Sequence, residues 1–133
     1  MATIRERLEQ ATTLLREVLT EVDASGLDEH APALFAVAGD VERAGRAVDA
    51  LRIAVAATVG DQSRPILGSE SLARRSGCGN AVELLERLTL ISRTEARRRL
   101  RLGAATQRGT RLLTGEALPA RFDAVRAALA AGR

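Results

Sequence analysis

Five arginines fall within nine residues, at Arg93, Arg97, Arg98, Arg99 and Arg101. A guanidinium is planar, permanently charged and able to grip a phosphate through two parallel hydrogen bonds. On a helix, Arg93, Arg97, Arg101 and Arg98 fall at about 0°, 40°, 80° and 140°. Ala96, Leu100 and Gly103 fall between about 280° and 340°. The segment therefore reads as a helix with a packing stripe beside a continuous arginine face. Glu95 is its sole acidic residue. Such a row can straddle a nucleic-acid groove and touch phosphates on both sides. Five phosphate contacts would make binding weaken with salt at a log–log slope of about −4 to −5. Arg74 and Arg75 extend the patch. Two other readings stay open for the same face: docking on an acidic surface of the protein, or plain solvation.

Other chemistries lack their residues. His30 is the sole histidine and Cys78 the sole cysteine. One of each cannot complete a structural zinc site, and no intrachain disulfide can form. His30 sits near a helix start and is expected to be solvated. Cys78 lies between Gly77 and Gly79 and reads as a small buried thiol. No nucleophile elbow, phosphate loop or dinucleotide fingerprint occurs. Trp and Tyr are absent, so stacking platforms for single-stranded bases are poorly supplied. The chain reads as a non-enzyme, without catalytic residue, cofactor or metal.

The charge is unevenly spread. All 20 basic residues are arginine. Residues 1–61 carry 6 Arg against 11 Asp and Glu, a balance of −5, and residues 62–133 carry 14 against 6, a balance of +8. An anionic partner for the basic half and self-docking of the two halves both account for this. The most apolar region, 31–59, is interrupted by Asp40, Glu42, Arg43, Arg46, Asp49 and Arg52, which excludes a membrane span there. The opening MATIRERLEQ has no signal-peptide apolar stretch. A cytoplasmic protein with no membrane partner is expected.

The elements that must position these residues are helical. With 133 residues, 46% apolar and Phe35 and Phe122 as the only aromatics, the core must be built from Ala, Leu, Val and Ile. Thr3 and Glu6 form a capping box ahead of Ile4, Leu8, Ala11, Leu15, Val18 and Val22, spaced as a heptad seam. Ser25-Gly26 ends this helix. A second seam runs through Leu34, Val37, Val41, Ala44, Val48, Leu51 and Val55, with Gly60 as the expected stop. Two such helices joined by a short loop read as an antiparallel hairpin. The longer second helix leaves part of its seam to be covered, either by the C-terminal half or by a second copy of the chain. Residues 60–69 read as a hinge. A short helix is expected at about 70–76. Asn80 with Glu83 and Ser92 with Glu95 are capping boxes opening helices over 81–88 and 93–104. Gly109 and Gly115 read as breaks, and Pro119 opens a last helix running to about Ala130. No strand pattern occurs. The two helices over 82–104, separated by Thr89–Ser92, are helix-turn-helix-like. Such a pair usually wants glycine in the turn and a small residue in the first helix. Leu90 and Glu86 stand there instead.

The stretch 77–104, GCGNAVELLERLTLISRTEARRRLRLGA, resembles the core of the actinobacterial domain-of-unknown-function family number 222. That family forms the helical N-terminal region of many HNH-endonuclease-like proteins. GDVERAGRAVDALRIAVA at 39–56 resembles its long second helix, and LTGEALPARFDAVRAALAAG at 113–132 the region that follows. The resemblance implies association with DNA-processing proteins. It does not carry nuclease activity, because an HNH site needs several His and an Asn around a metal and the sequence has a single His.

The expected architecture is all-α. A two-helix hairpin over 1–60 is followed by a basic helical cluster over 61–133, the two packed as one domain. The expected function is DNA binding, with double-stranded DNA as partner and Arg93, Arg97, Arg98, Arg101, Arg74 and Arg75 on the phosphates. The alternative is a protein-interaction module that self-associates through the second helix and binds no nucleic acid.

Overall fold

Thr3 opens the first helix as expected. Its hydroxyl accepts from the Glu6 N–H at 3.1 Å, and the Glu6 carboxylate accepts from the Thr3 N–H at 2.9 Å. In the computed structural model, which describes residues 1–115 and the side chains of residues 1–107, helix α1 spans Ile4–Ser25 and α2 spans Ala31–Gln62. A 3₁₀ segment, Pro65–Glu70, follows. The short α3 is Leu72–Arg75, α4 is Ala81–Thr89 and α5 is Arg93–Gly115. The fold is all-α, with the long α2 followed by shorter helices, and no strand occurs among the described residues. The final helix expected from Pro119 lies outside them.

Two compact units divide the chain inside α2, at Met1–Asp40 and Val41–Arg133. The first carries 3 Arg against 8 acidic residues and the second 17 against 9, which gives −5 and +8. No residue of the first unit is buried. Its large side chains, among them Leu8, Leu15, Val18 and Phe35, are exposed.

The second unit holds the core. Val59 of α2, Ala73 of α3, Cys78 and Leu84 of α4 form one cluster. Ala56 of α2, Leu85 of α4 and Ala96 of α5 form another. Adjacent Leu84 and Leu85 bring α4 into both. Ser63 joins the 3₁₀ connection to the core, because its buried hydroxyl accepts from the Ala73 N–H at 3.2 Å.

Two readings from the sequence are corrected. Gly60 does not stop α2, which continues to Gln62. Its missing Cβ makes room for Leu100, whose Cδ2 would lie 3.2 Å from one. Gly109 does not break α5, which runs on to Gly115. Residues 60–69, expected as a hinge, comprise the end of α2 and the 3₁₀ segment, which kinks at Gly68 with φ 55° and ψ −129°.

The core also decides which side of α2 is covered. Ile53, Ala56, Ala57 and Gly60 lie within about 100° of one another on one side of the helix. Ile53 and Ala56 are buried, and Ala57 meets α5. Val48, Leu51 and Val55 of the heptad seam lie on the opposite side and stay exposed. The C-terminal cluster therefore takes the face behind the seam, and near the helix end it also buries Val59 on the seam side.

Candidate nucleic-acid interface

The helix pair that carries the arginines is built from α4 upward. Asn80 caps α4, its Oδ1 accepting from the Glu83 N–H at 2.9 Å. The Glu83 carboxylate accepts from the Gly79 N–H at 2.8 Å and from Arg87 at 2.7 Å. Leu84 and Leu85 face the core.

The turn is three residues, Leu90, Ile91 and Ser92. Leu90 is left-handed, with φ 56° and ψ 37°, and its N–H closes α4 on the Glu86 carbonyl. This is the conformation that favours glycine in such turns, because a Cβ costs roughly 1–2 kcal/mol there. The Leu90 side chain is 91% exposed, so little packing compensates that cost. Leu90→Gly is therefore expected to stabilise the fold by about 0.5–1 kcal/mol, after the looser unfolded chain offsets part of the gain. Urea denaturation checks this, and a lower midpoint would contradict it.

Glu86, which replaces the usual small residue, is accommodated by reaching across the turn to Arg93 Nε at 3.3 Å. Ile91 packs on the core cluster of Ala56, Leu85 and Ala96.

Ser92 caps α5, its hydroxyl accepting from the Glu95 N–H at 3.1 Å. The expected capping box is only half formed, because the Glu95 carboxylate turns forward along the helix. It accepts two bonds from Arg98, at 2.9 and 2.8 Å, and one from Arg99 at 2.9 Å. Hydrogen bonds from Arg98 and then Arg99 lower its pKa from 4.5 to about 2. The same bond raises that of Arg98, with Asp49 of α2 adding to the effect. A carboxylate held this low stabilises the fold fully above its ordinary pKa of 4.5 and loses that contribution as pH falls toward about 2. Glu95→Gln should therefore lose less stability than the parent between pH 4.5 and 2, read from acid titrations of the thermal midpoint. Identical acid profiles would contradict it.

The packing stripe stands as expected. Ala96 and Gly103 are buried and Leu100 is partly so. A Cβ on Gly103 would lie 2.8 Å from both the Cα and the N of Ala57, so α5 crosses α2 in backbone contact.

The arginines separate into distinct states. Arg99 leaves the exposed row: it is 9% exposed and tied to Glu95. Arg98 is exposed but bonded to the same carboxylate. Arg93 is exposed with its single long contact to Glu86. Arg97 and Arg101 are exposed and have no ion pair or side-chain hydrogen bond among the described residues. Arg93, Arg97 and Arg101 are successive i,i+4 positions and so form one ridge. Arg74 and Arg75 lie on α3, a different element, where both are exposed and Arg75 Nε donates to the Glu70 carbonyl at 3.0 Å.

No protein-family model, curated protein or solved structure matches this chain.

His30 is exposed, its backbone N–H donating to Asp28 Oδ1 at 2.9 Å, and Cys78 is a buried free thiol. Among the described residues no group of three or more His, Cys, Asp or Glu is placed to hold a metal, and no helix is long and apolar enough to cross a membrane. The sequence reading missed the role of Asp49, which lies far from α5 in the chain and gives no local signal. The withdrawal of Arg99 had one. Glu95 and Arg99 are spaced i,i+4, and position 99 lies beside Ala96 on the helix wheel.

Proposed function

We propose that this chain is a DNA-binding helical module that places the α4–turn–α5 pair against duplex DNA, with the arginine ridge on the phosphate backbone. The observation that carries the reading is Arg97 and Arg101, exposed and without an acidic partner among the described residues. Guanidinium groups carried on a helix fixed by Ala96 and Gly103, with no carboxylate to displace, are available for bidentate phosphate contact. Arg93 and Arg98 join them by exchanging a carboxylate for a phosphate. The three-residue turn and left-handed Leu90 agree with a helix-turn-helix geometry. The resemblance to domain-of-unknown-function family number 222 agrees in kind, and membership of that family is part of the proposal. The role is binding, not hydrolysis.

Duplex titration over a range of salt tests it. With four arginines engaged the log–log slope is expected at about −3 to −4, shallower than five contacts would give because Arg99 is held by Glu95. No binding at low salt would reject the reading.

A second reading rests on a separate observation. The α2 seam residues Val48, Leu51 and Val55 are exposed, which supports a protein-interaction module self-associating through α2 without nucleic acid. It predicts association that is insensitive to DNA and strengthened by salt.

A further inference from the structure

The first helix carries an exposed apolar stripe along its length. Ile4, Leu8, Ala11, Leu15, Val18 and Val22 form its seam, and Leu14 and Leu19 widen it. Exposure is 45% at Leu8 and 61% at Leu14, and α1 has no buried residue. A Val or Leu side chain offers roughly 60–120 Å² of apolar area. The six larger exposed residues of α1 then present roughly 300 Å². That lies at the lower end of the largest apolar patch a monomer shows. It is well short of the ~800 Å² per partner of a standard interface. A reversible complex fits such an area.

The seam itself specifies the partner. We propose that α1 pairs antiparallel with α1 of a second copy of this chain. One antiparallel register matches all six seam positions. Ile4 meets the partner's Val22, Leu8 meets the partner's Val18, and Ala11 meets the partner's Leu15, with the reverse contacts following by symmetry. The 4,3,4 spacing keeps this seam in contact along a left-handed supercoil. In the same register Arg7 flanks the seam opposite the partner's Glu21, twice per dimer. Leu14 lies opposite its own copy beside the two-fold axis, and so does Thr12. A parallel pair would set Arg7 beside the partner's Thr12 and form no flanking ion pair. The antiparallel arrangement therefore has charge complementarity that the parallel one lacks, and it opposes the two helix dipoles favourably. The contact is isologous, so it closes as a dimer and does not propagate. It uses only residues of the first unit and is independent of the DNA reading.

The test uses the full chain. Sedimentation across a concentration series is expected to show a monomer–dimer equilibrium. Leu14→Cys should crosslink between copies with a short bis-maleimide, whereas Arg5→Cys, whose two copies lie about 24 Å apart in this register, should not. Buried Cys78 leaves the parent as an unreactive control. Arg7→Glu and Glu21→Arg should each weaken the dimer roughly tenfold by setting like charges opposite each other, and the double exchange should restore it. Restoration is a readout that simple damage to α1 would not produce. Equal crosslinking at positions 5 and 14 would mean parallel pairing and overturn the proposal. So would a double exchange no better than either single variant. A chain monomeric at every concentration would also overturn it, whatever then covers the stripe, residues 116–133 included.

Discussion

Gly103→Ala is expected to destabilise the second unit by about 1–3 kcal/mol, although alanine is the better helix former. Two effects oppose each other at this position. Intrinsic propensity favours alanine by roughly 0.8–1 kcal/mol in a helix interior. Against it, the new methyl would sit 2.8 Å from the Cα and N of Ala57 and 3.0 Å from its Cβ. Two of those atoms are backbone of the neighbouring helix. They cannot turn aside as a side-chain end can, so α2 and α5 must separate. Separation opens the cluster of Ala56, Leu85 and Ala96, and overpacking of this kind typically costs about 1–3 kcal/mol. The packing effect therefore wins.

Gly45→Ala supplies the matched control. Gly45 is also helical, but a Cβ there meets no atom within 4 Å. The same substitution should stabilise by up to about 1 kcal/mol. Gly60 is intermediate, because its close neighbour is the end of the Leu100 side chain, which can rotate. Urea denaturation followed by circular dichroism should rank the midpoints Gly45→Ala, parent, Gly60→Ala, Gly103→Ala from highest to lowest. A Gly103→Ala midpoint at or above the parent would show that α2 and α5 are not in backbone contact.

These glycines also show where the sequence was legible. Thr3, Asn80 and Ser92 announced their helices because an N-cap is a local event, settled within four residues. The stripe of Ala96, Leu100 and Gly103 was legible because helical period alone places these residues on one side. Gly60 reads as a stop in the sequence because a glycine ends a helix and admits a neighbour with the same letter. Only the partner helix distinguishes the two uses, and Leu100 lies forty residues after Gly60. The heptad seam of α2 misled in a related way. Ile53, Ala56, Ala57 and Gly60 are small or single apolar residues outside the seam, yet the core uses them alongside Val59, since small residues let helices approach. At the candidate site, the arginine face was readable from spacing. Its division into paired and unpaired members was not, because a carboxylate's choice among Ser92, Arg98 and Arg99 depends on geometry. Asp49 also acts on Arg98 from another helix.

That division determines what loss of the ridge should do. Arg97→Ala combined with Arg101→Ala is expected to weaken duplex binding roughly 30-fold near 0.15 M salt and to make the salt slope about 2 units shallower. Each arginine on a phosphate displaces about 0.9 of a condensed counterion, so losing two removes both affinity and salt sensitivity. Both side chains are exposed and lack partners among the described residues, so the fold should change by less than about 0.5 kcal/mol. Arg98→Ala should cost less binding than either, because Glu95 already neutralises it. Glu95→Gln provides the opposite sign: it removes the competing carboxylate, frees Arg98 and should tighten binding even as it alters acid stability. A protein whose basic half merely solvates, or docks on its own acidic surface, predicts no such reversal. Equal binding by the parent and the Arg97→Ala/Arg101→Ala protein would therefore reject phosphate contact through this ridge. Tighter binding by Glu95→Gln, with the double variant weakened, would place the contact on α5 rather than on Arg74 and Arg75 of α3.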